Sequence, residues 1–404
     1  MSGQSRSDGE TPPKTQDPPA PQDPPPTVPE SEPISPSPPP TSKTPNAPPP
    51  QPESEPISPA AASRLESLRA LRPGQVILTV GVAVIVTTVL VVSIGRLAGF
   101  TKLGDTLGGA TWGWLGLCAV GQIGVFVGYA GAFRMSVASS GDLLAESNPG
   151  PPPVRFWYSL KVALAGFGLT QLIAAGGAAG MAFTFWVFRR LGFSKRNAMV
   201  QLIALNTAVY FVFGVIGWLG ALMGLLDPAV PLAMAVSWLA GFAAVIALAR
   251  WFIQPHRKAR FTQVEDGSRL RRALAVGVSS AARVQEYMRT ADGRQLLVWA
   301  LLYWAGDLVS VWAALQAFGV TVSVPAIVVA YVLGYLAQSV PIPLIATGGV
   351  DAATTFTLHA VGVPIEVALL GVVAHRVFAF WLPVIPGLWS ATVLARYEMR
   401  STSD

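Results

Sequence analysis

The chain has 404 residues, of which 51% are hydrophobic and 12% charged, whereas about a quarter of the residues of an average soluble domain are charged. Most of the 35 prolines and none of the aromatic residues lie in residues 1–62, which are acidic, while the remainder is basic enough to bring the net charge to +6. These proportions exclude a single soluble globule. They predict a tail, 1–62, and an integral membrane domain, 63–404.

The tail is predicted to be a disordered, proline-rich cytoplasmic segment. It has too little apolar surface to offset the entropy of ordering, and no hydrophobic signal segment precedes the first apolar run. The heptapeptide ESEPISP occurs at 30–36 and again at 53–59. It is interpreted as part of a low-complexity spacer, with a docking motif or phosphorylation tract as the alternative.

The membrane domain is predicted to be all-α, with about eight transmembrane helices. A spanning helix needs about 20 apolar residues. Two further apolar pieces, 178–188 and 351–362, are too short to cross. The candidate spans are 75–95, 110–132, 156–175, 197–224, 228–249, 295–318, 322–340 and 366–393.

Lys and Arg placement predicts the orientation. Basic residues cluster before the first span, after the second, around 189–196, through 250–294 and after the last span, which places both termini in the cytoplasm. The basic amphipathic segment 250–294 is expected to lie along the cytoplasmic interface near anionic lipid. With this orientation, 156–190 and 322–362 must be hairpins that enter from opposite faces.

The two hairpins share a sequence repeat. LIAAGG at 172–177 matches LIATGG at 344–349, and a short apolar limb and a long helix follow each copy. The repeats cover about 156–224 and 322–393. An odd number of spans separates them, so the second is inverted, an arrangement of broken, re-entrant helices that is typical of transporters. The alternative is a chance match between glycine pairs in apolar runs.

Three ionisable residues are predicted at membrane depth, where a charge costs at least about 3 kcal/mol. Arg376 is a candidate phosphate ligand, because guanidinium matches phosphate geometry. The alternative is an Arg376–Asp307 pair that fastens two helices. Asp351 is a candidate site residue, with a helix N-cap as the favoured interpretation.

Further candidates surround this site. Gly176–Gly177 and Gly348–Gly349 are expected to break helices and aim helix N-termini at an anion. Asn206, which aligns with Arg376, is either a helix–helix hydrogen bond or a ligand. Arg189 and Arg190 could gather anionic headgroups, although orientation alone also explains them.

No catalytic constellation is found, so the chain is not expected to be an enzyme. It lacks a P-loop and G-x-S-x-G, and no cofactor is expected. Its one cysteine and three histidines have no metal-ligand spacing, so no metal site is predicted. The basic residues fit membrane orientation, so nucleic-acid binding is not expected.

Several short motifs carry a family resemblance over about 75–395. They are Pro341-Ile342-Pro343, Gly348-Gly349-Val350-Asp351, Gly362-Val363-Pro364, His375-Arg376 and Phe380-Trp381-Leu382-Pro383. With these motifs the chain resembles the transmembrane domain of bacterial lysylphosphatidylglycerol synthase and its stand-alone relatives. Such a domain is assigned lipid flipping, while a separate cytosolic domain transfers the amino acid. About ten residues follow the last helix, so the resemblance implies the flippase part alone.

The functional hypothesis is an inner-membrane protein that binds an anionic lipid and moves it between leaflets. The lipid is a phospholipid or a polyprenyl phosphate. One alternative is a secondary transporter of a small solute. Another is a membrane scaffold whose tail recruits a cell-envelope enzyme.

Overall fold

The computed structural model describes residues 108–140, 153–172, 178–262, 269–339, 343–381, 383, 386–387 and 389–390. The tail, the apolar run 75–95 and Gly176–Gly177 lie outside the described residues. The regular elements of the described part are helices, which confirms the predicted all-α class. They are α1 (Trp112–Ala138), α2 (Phe156–Leu172), α3 (Ala178–Arg190), α4 (Lys195–Gly224), α5 (Leu232–Ile253), α6 (Pro255–Thr262), α7 (Arg269–Tyr287), α8 (Ala291–Ala317), α9 (Val324–Tyr335), a 3₁₀ turn (Leu336–Ser339), α10 (Pro343–Ala360), α11 (Ile365–Arg376) and a π-helical turn (Val377–Trp381).

Four of these helices, α1, α4, α5 and α8, are long and apolar enough to cross a membrane. They coincide with predicted spans, so the chain is a polytopic membrane protein. The last predicted span, 366–393, is realised as α11 followed by the π-helical turn, with only part of the remainder described.

Helices α1 and α8 form the centre of the bundle and run antiparallel. Glycines on α1 allow the close approach. A Cβ on Gly121 would lie 2.6 Å from the Gly306 carbonyl oxygen, and one on Gly128 would lie 2.5 Å from the Tyr303 nitrogen. Small residues let helix backbones meet where lipid supplies no hydrophobic drive for association. Each of the two helices precedes one hairpin, so their antiparallel packing is the arrangement that an inverted repeat requires.

Both predicted hairpins are present as pairs of packed helices. In the first, Gly180 of α3 meets Gly166 and Thr170 of α2. In the second, Gly334 of α9 meets Thr354 of α10, and the Thr357 hydroxyl of α10 donates a 2.7 Å bond to the Ala330 carbonyl oxygen. Because the limbs are antiparallel, each hairpin begins and ends at the same side of the bundle.

The turns that follow the hairpins have the same geometry in both halves. Gly192 and Gly362 have φ of 95° and 96°, a left-handed conformation that favours glycine. In both turns a side chain contacts the carbonyl oxygen of the residue four positions later in the chain. Arg189 donates to the Phe193 carbonyl oxygen at 2.6 Å, and Nδ1 of His359 lies 2.9 Å from the Val363 carbonyl oxygen. The matching turn residues are 170 positions apart, as are the aligned Asn206 and Arg376, and this correspondence supports the repeat.

The break in the second hairpin differs from the prediction. Gly348 and Gly349 lie inside α10 and do not interrupt it, and the returning limb begins at Pro343, eight residues before the predicted start of 351. Proline is well suited to the first turn of a helix because it lacks the backbone donor. Glycine is tolerated within membrane helices. The returning limb is therefore about 27 Å long at 1.5 Å per residue.

The basic segment does not lie wholly on a lipid surface. One face of α7 packs on the bundle, where the Ser280 hydroxyl donates to the Val200 carbonyl oxygen at 3.2 Å. Tyr287 is buried and its hydroxyl accepts from the Gln201 amide at 3.0 Å. The opposite face of α7 exposes Arg271 and Arg272. Hydrogen bonds with α4 therefore help to position α7, and its basic face is open to water or headgroups.

The opposite end of the bundle has its own polar contact. Asp227, in the α4–α5 loop, accepts from the hydroxyl of Ser323, the N-cap residue of α9, and from the Ala229 amide at 2.9 Å. These bonds hold the pKa of the Asp227 carboxyl below its ordinary value. The contact ties the start of the second hairpin to the neighbouring loop.

Candidate functional site

Arg376 is the last residue of α11 and lies where the α-helix gives way to the π-helical turn Val377–Trp381. Arg376 is the twelfth residue of α11, so it lies about 17 Å along the helix axis from the first. This distance is roughly half the thickness of a hydrocarbon core. A π-helical turn alters the direction of side chains and is often found at functional sites. The turn thus marks the position predicted to hold a ligand.

Arg376 forms a two-pronged ion pair with Asp351. Its Nε donates to Oδ2 at 2.9 Å, and its Nη2 lies 2.9 Å from Oδ1. The exposed fractions of the two side chains are 27% and 14%. Guanidinium carries five N–H donors, so Asp351 does not saturate it.

Two predictions about these residues are wrong. The Arg376–Asp307 pair, which was the alternative to a phosphate ligand, is not formed, because Asp351 binds the guanidinium. Asp351 is also not an N-cap: α10 begins at Pro343, so Asp351 lies in the middle of that helix. Its carboxylate therefore projects from a helix flank and can reach α11.

Asp307 lies in a second polar group next to the first. Its Oδ1 accepts from the Gln122 amide at 2.7 Å, and its Oδ2 accepts from the Tyr331 hydroxyl. His375 Nε2 lies 3.7 Å from Oδ1. His375 also approaches Ser310 through Nδ1, at 3.0 Å from the hydroxyl oxygen. Helices α1, α9 and α11 thus each contribute one of these polar side chains to a buried cluster, and α8 contributes two, Asp307 and Ser310.

Aromatic rings pack beside this cluster. The Tyr335 ring centroid lies 5.2 Å from that of Trp304, 5.3 Å from that of Phe213 and 5.7 Å from that of Tyr331. Trp304 donates from its indole nitrogen to the Val209 carbonyl oxygen at 2.7 Å. The rings exclude water from one side of the polar group, which strengthens the electrostatic interactions within it.

The other predicted site residues lie elsewhere. The Asn206 amide donates to the Leu202 carbonyl oxygen of its own helix at 2.9 Å, so the predicted helix–helix bond is not formed. Arg189 caps the end of α3, and Arg190 lies over the Trp186 ring at 4.7 Å. Both arginines are exposed at that helix end. Gly348 and Gly349 are interior to α10.

Sequence reasoning missed Gln122 and Tyr331, and it noticed His375 only as part of a family motif. Gln122 stands between Gly121 and Gly124 on the glycine-lined face of α1. A glutamine on such a face is directed toward the partner helix, which is the signal that could have identified it. Tyr331 carries no comparable signal, because a tyrosine in an apolar helix is common at any depth.

The comparison with known families agrees with this architecture. Residues 77–387 match the family described as the lysylphosphatidylglycerol synthase TM region, a range that includes both hairpins, the Asp351–Arg376 pair and the Asp307 cluster. The comparison with curated proteins gives no match. Since the match covers well over half of the chain, the protein belongs to the lysylphosphatidylglycerol synthase transmembrane-region family.

Proposed function

We propose that the protein binds an anionic lipid, a phospholipid or a polyprenyl phosphate, and translocates it between the leaflets of a bacterial plasma membrane. The observation that carries the proposal is the ion pair of Arg376 with Asp351, in which the Arg376 side chain keeps 27% of its surface exposed. We place this pair near the middle of the bilayer because Arg376 lies about 17 Å along α11. Ionisable residues at membrane depth are functional by default.

In the proposed mechanism, the lipid phosphate competes with Asp351 for the guanidinium. Both anions accept two parallel N–H bonds from arginine, so the exchange never leaves the Arg376 cation unpaired. An unpaired buried charge costs several kcal/mol. The Asp351 pair then holds Arg376 in position while the site is empty and yields to the phosphate when a lipid enters.

The proposed orientation places both termini and the α6–α7 segment in the cytoplasm. The basic residues at the end of α3 and on the open face of α7 support it, because cytoplasmic loops carry an excess of Lys and Arg. In this orientation the first hairpin opens to the cytoplasm and the second to the outside. In the proposed mechanism the polar group is then accessible in turn from either leaflet.

The test is lipid translocation in liposomes that contain the full-length protein and a fluorescent phosphatidylglycerol. Dithionite bleaching of the outer leaflet reports movement between leaflets. We expect Arg376→Ala to reduce the rate at least about tenfold, the effect of losing about 1.4 kcal/mol of interaction. Arg376→Lys should be partly active, since lysine keeps the positive charge but cannot donate two parallel hydrogen bonds to a phosphate.

The matched control is Arg294→Ala, which removes an exposed arginine from the first turn of α8. It should leave the rate unchanged. Wild-type rates in both Arg376 variants would exclude Arg376 from lipid binding.

A further inference from the structure

We propose that the Asp307–His375 pair is a proton-binding site and that one proton accompanies each anionic lipid across the membrane. This inference rests on the proposed lipid translocation and adds its coupling ion. The inference rests on the polar group around Asp307, which takes no part in the exchange of phosphate for Asp351.

Asp307 is held as a hydrogen-bond acceptor. Gln122 donates to one carboxylate oxygen at 2.7 Å and Tyr331 donates to the other. The residue is buried, with 9% of its surface exposed. Asp307 and His375 therefore face each other inside the membrane domain, with His375 Nε2 3.7 Å from Asp307 Oδ1.

Ionisable side chains on the surrounding helices interact electrostatically with Asp307 or His375. These groups are Cys118 of α1, Tyr303 of α8, Tyr331 and Tyr335 of α9, Asp351 of α10 and Arg376 of α11. Among these groups in the described part of the chain, Arg376 is the one with a permanent positive charge, and Asp351 already binds it at 2.9 Å. His375 is therefore the side chain in range that can add a positive charge by taking up a proton.

Charge conservation links the two polar groups. A phosphate diester brings one negative charge to Arg376 and releases Asp351, so two carboxylates and a phosphate then face one guanidinium. An added net charge at membrane depth is costly. The net charge of the pocket stays constant when one proton arrives with each phosphate.

His375 is placed to take that proton. It adjoins Arg376 in the chain and faces Asp307, and it is within electrostatic range of Asp351. The proton passes from water on the side of lipid entry to the His375 imidazole, is stabilised there by Asp307, and returns to water on the side where the lipid leaves. One O–H bond of hydronium breaks as the N–H bond of His375 forms, the reverse happens on release, and the translocated pair of proton and lipid anion is electrically neutral.

The experiment uses the full-length protein in phosphatidylcholine liposomes with a trace of fluorescent phosphatidylglycerol. With the outside one pH unit more acidic than the lumen, the labelled lipid should accumulate in the inner leaflet at a ratio of about ten to one, the value for one-to-one coupling at equilibrium. A potassium diffusion potential should have no effect. Dithionite accessibility gives the ratio, and this ratio is independent of the translocation rate.

Asp307→Asn and His375→Gln should each abolish the response of the leaflet ratio to the pH gradient. His359→Gln is the matched control, since His359 lies at the exposed end of α10 and contacts the Val363 carbonyl oxygen. The control should keep the wild-type ratio.

The outcomes separate the two proposals. Lipid movement in the wild-type protein with a ratio that ignores the pH gradient would overturn the proton site and leave lipid translocation standing. No movement of the labelled lipid at all would overturn the translocation proposal, and the coupling with it. Should both variants fail to fold, the wild-type ratio alone decides.

Discussion

At the scale of single residues, the protein keeps two carboxylates close to one guanidinium without letting them compete. Asp351 forms the two-pronged ion pair with the Arg376 guanidinium, and Asp307 accepts hydrogen bonds from the neutral donors of Gln122 and Tyr331. A buried polar group that is fully hydrogen-bonded avoids the desolvation penalty that an orphan would incur. The two acids therefore have separate roles, one as the partner of Arg376 and the other as the partner of His375.

The Asp351–Arg376 pair should stabilise the protein as well as hold the ligand site. Asp351→Asn removes the charge at nearly constant volume and leaves Arg376 unpaired, so we expect a loss of about 2–3 kcal/mol in the free energy of unfolding, slightly below the range for fully buried pairs. Thermal or denaturant unfolding in detergent measures it.

A double-mutant cycle provides the control for this prediction. The double variant Asp351→Asn, Arg376→Gln should lose less than the sum of its two single variants, because the second change removes the unpaired charge. Additive losses would mean that the two side chains do not interact in solution.

Residue types alone identified Arg376, Asp307 and Asp351 as the important ionisable residues, since charged side chains in apolar runs are rare. The pairing was wrong because it depends on helix rotation and on where α10 begins. The same limit applies to Asn206: an asparagine can satisfy its amide on its own helix, and the residue type does not distinguish that bond from a bond between helices.

At the scale of elements, the α1–α8 contact depends on glycines. Gly128→Ala places a Cβ 2.5 Å from the Tyr303 nitrogen and 2.8 Å from the Trp299 carbonyl oxygen, both backbone atoms that cannot move aside alone. We expect a loss of about 1–3 kcal/mol in unfolding free energy, the usual cost of overpacking. Unfolding in detergent measures the loss.

Gly241→Ala on α5 is the matched control, because a Cβ there meets no atom within 4 Å. This substitution should be neutral or slightly stabilising, since alanine has the higher helix propensity. Equal effects of the two substitutions would contradict close α1–α8 packing.

The second hairpin shows why its break was misplaced by the sequence argument. A glycine pair lowers helix propensity, which favours a break in an isolated peptide. Within a membrane bundle, helical hydrogen bonds are retained because lipid supplies no alternative partner. Proline has no backbone N–H and cannot donate a helical hydrogen bond, so the returning limb starts at Pro343. Gly348 and Gly349 keep their helical conformation.

At the scale of the whole molecule, the antiparallel hairpins make a topological prediction. In a Cys118→Ser background, Trp157→Cys and Arg190→Cys at the ends of the first hairpin should react with a membrane-impermeant maleimide only from the cytoplasmic side. Val324→Cys and Ala360→Cys, at the ends of the second, should react only from the outside. These positions are exposed, and helical limbs that pack antiparallel must return to their own side.

Met288→Cys and Leu226→Cys supply the inside and outside references, since both side chains are exposed beyond the ends of helices. Labelling in intact spheroplasts and in inverted vesicles distinguishes the sides. Reaction of the Arg190 and Trp157 positions from opposite sides would contradict the first hairpin and the inverted arrangement of the two hairpins.

Sequence by itself determined the membrane class, four of the spans and the family resemblance, because each depends on local hydropathy, charge placement or short motifs. Tertiary structure alone decided which acid binds Arg376, how Gln122, Tyr331 and His375 gather round Asp307, and where the second hairpin breaks. The physical reason is that these features depend on helix rotation and close approach. Residues up to 253 positions apart in the chain, such as Gln122 and His375, come within bonding distance only when glycine-lined helices pack.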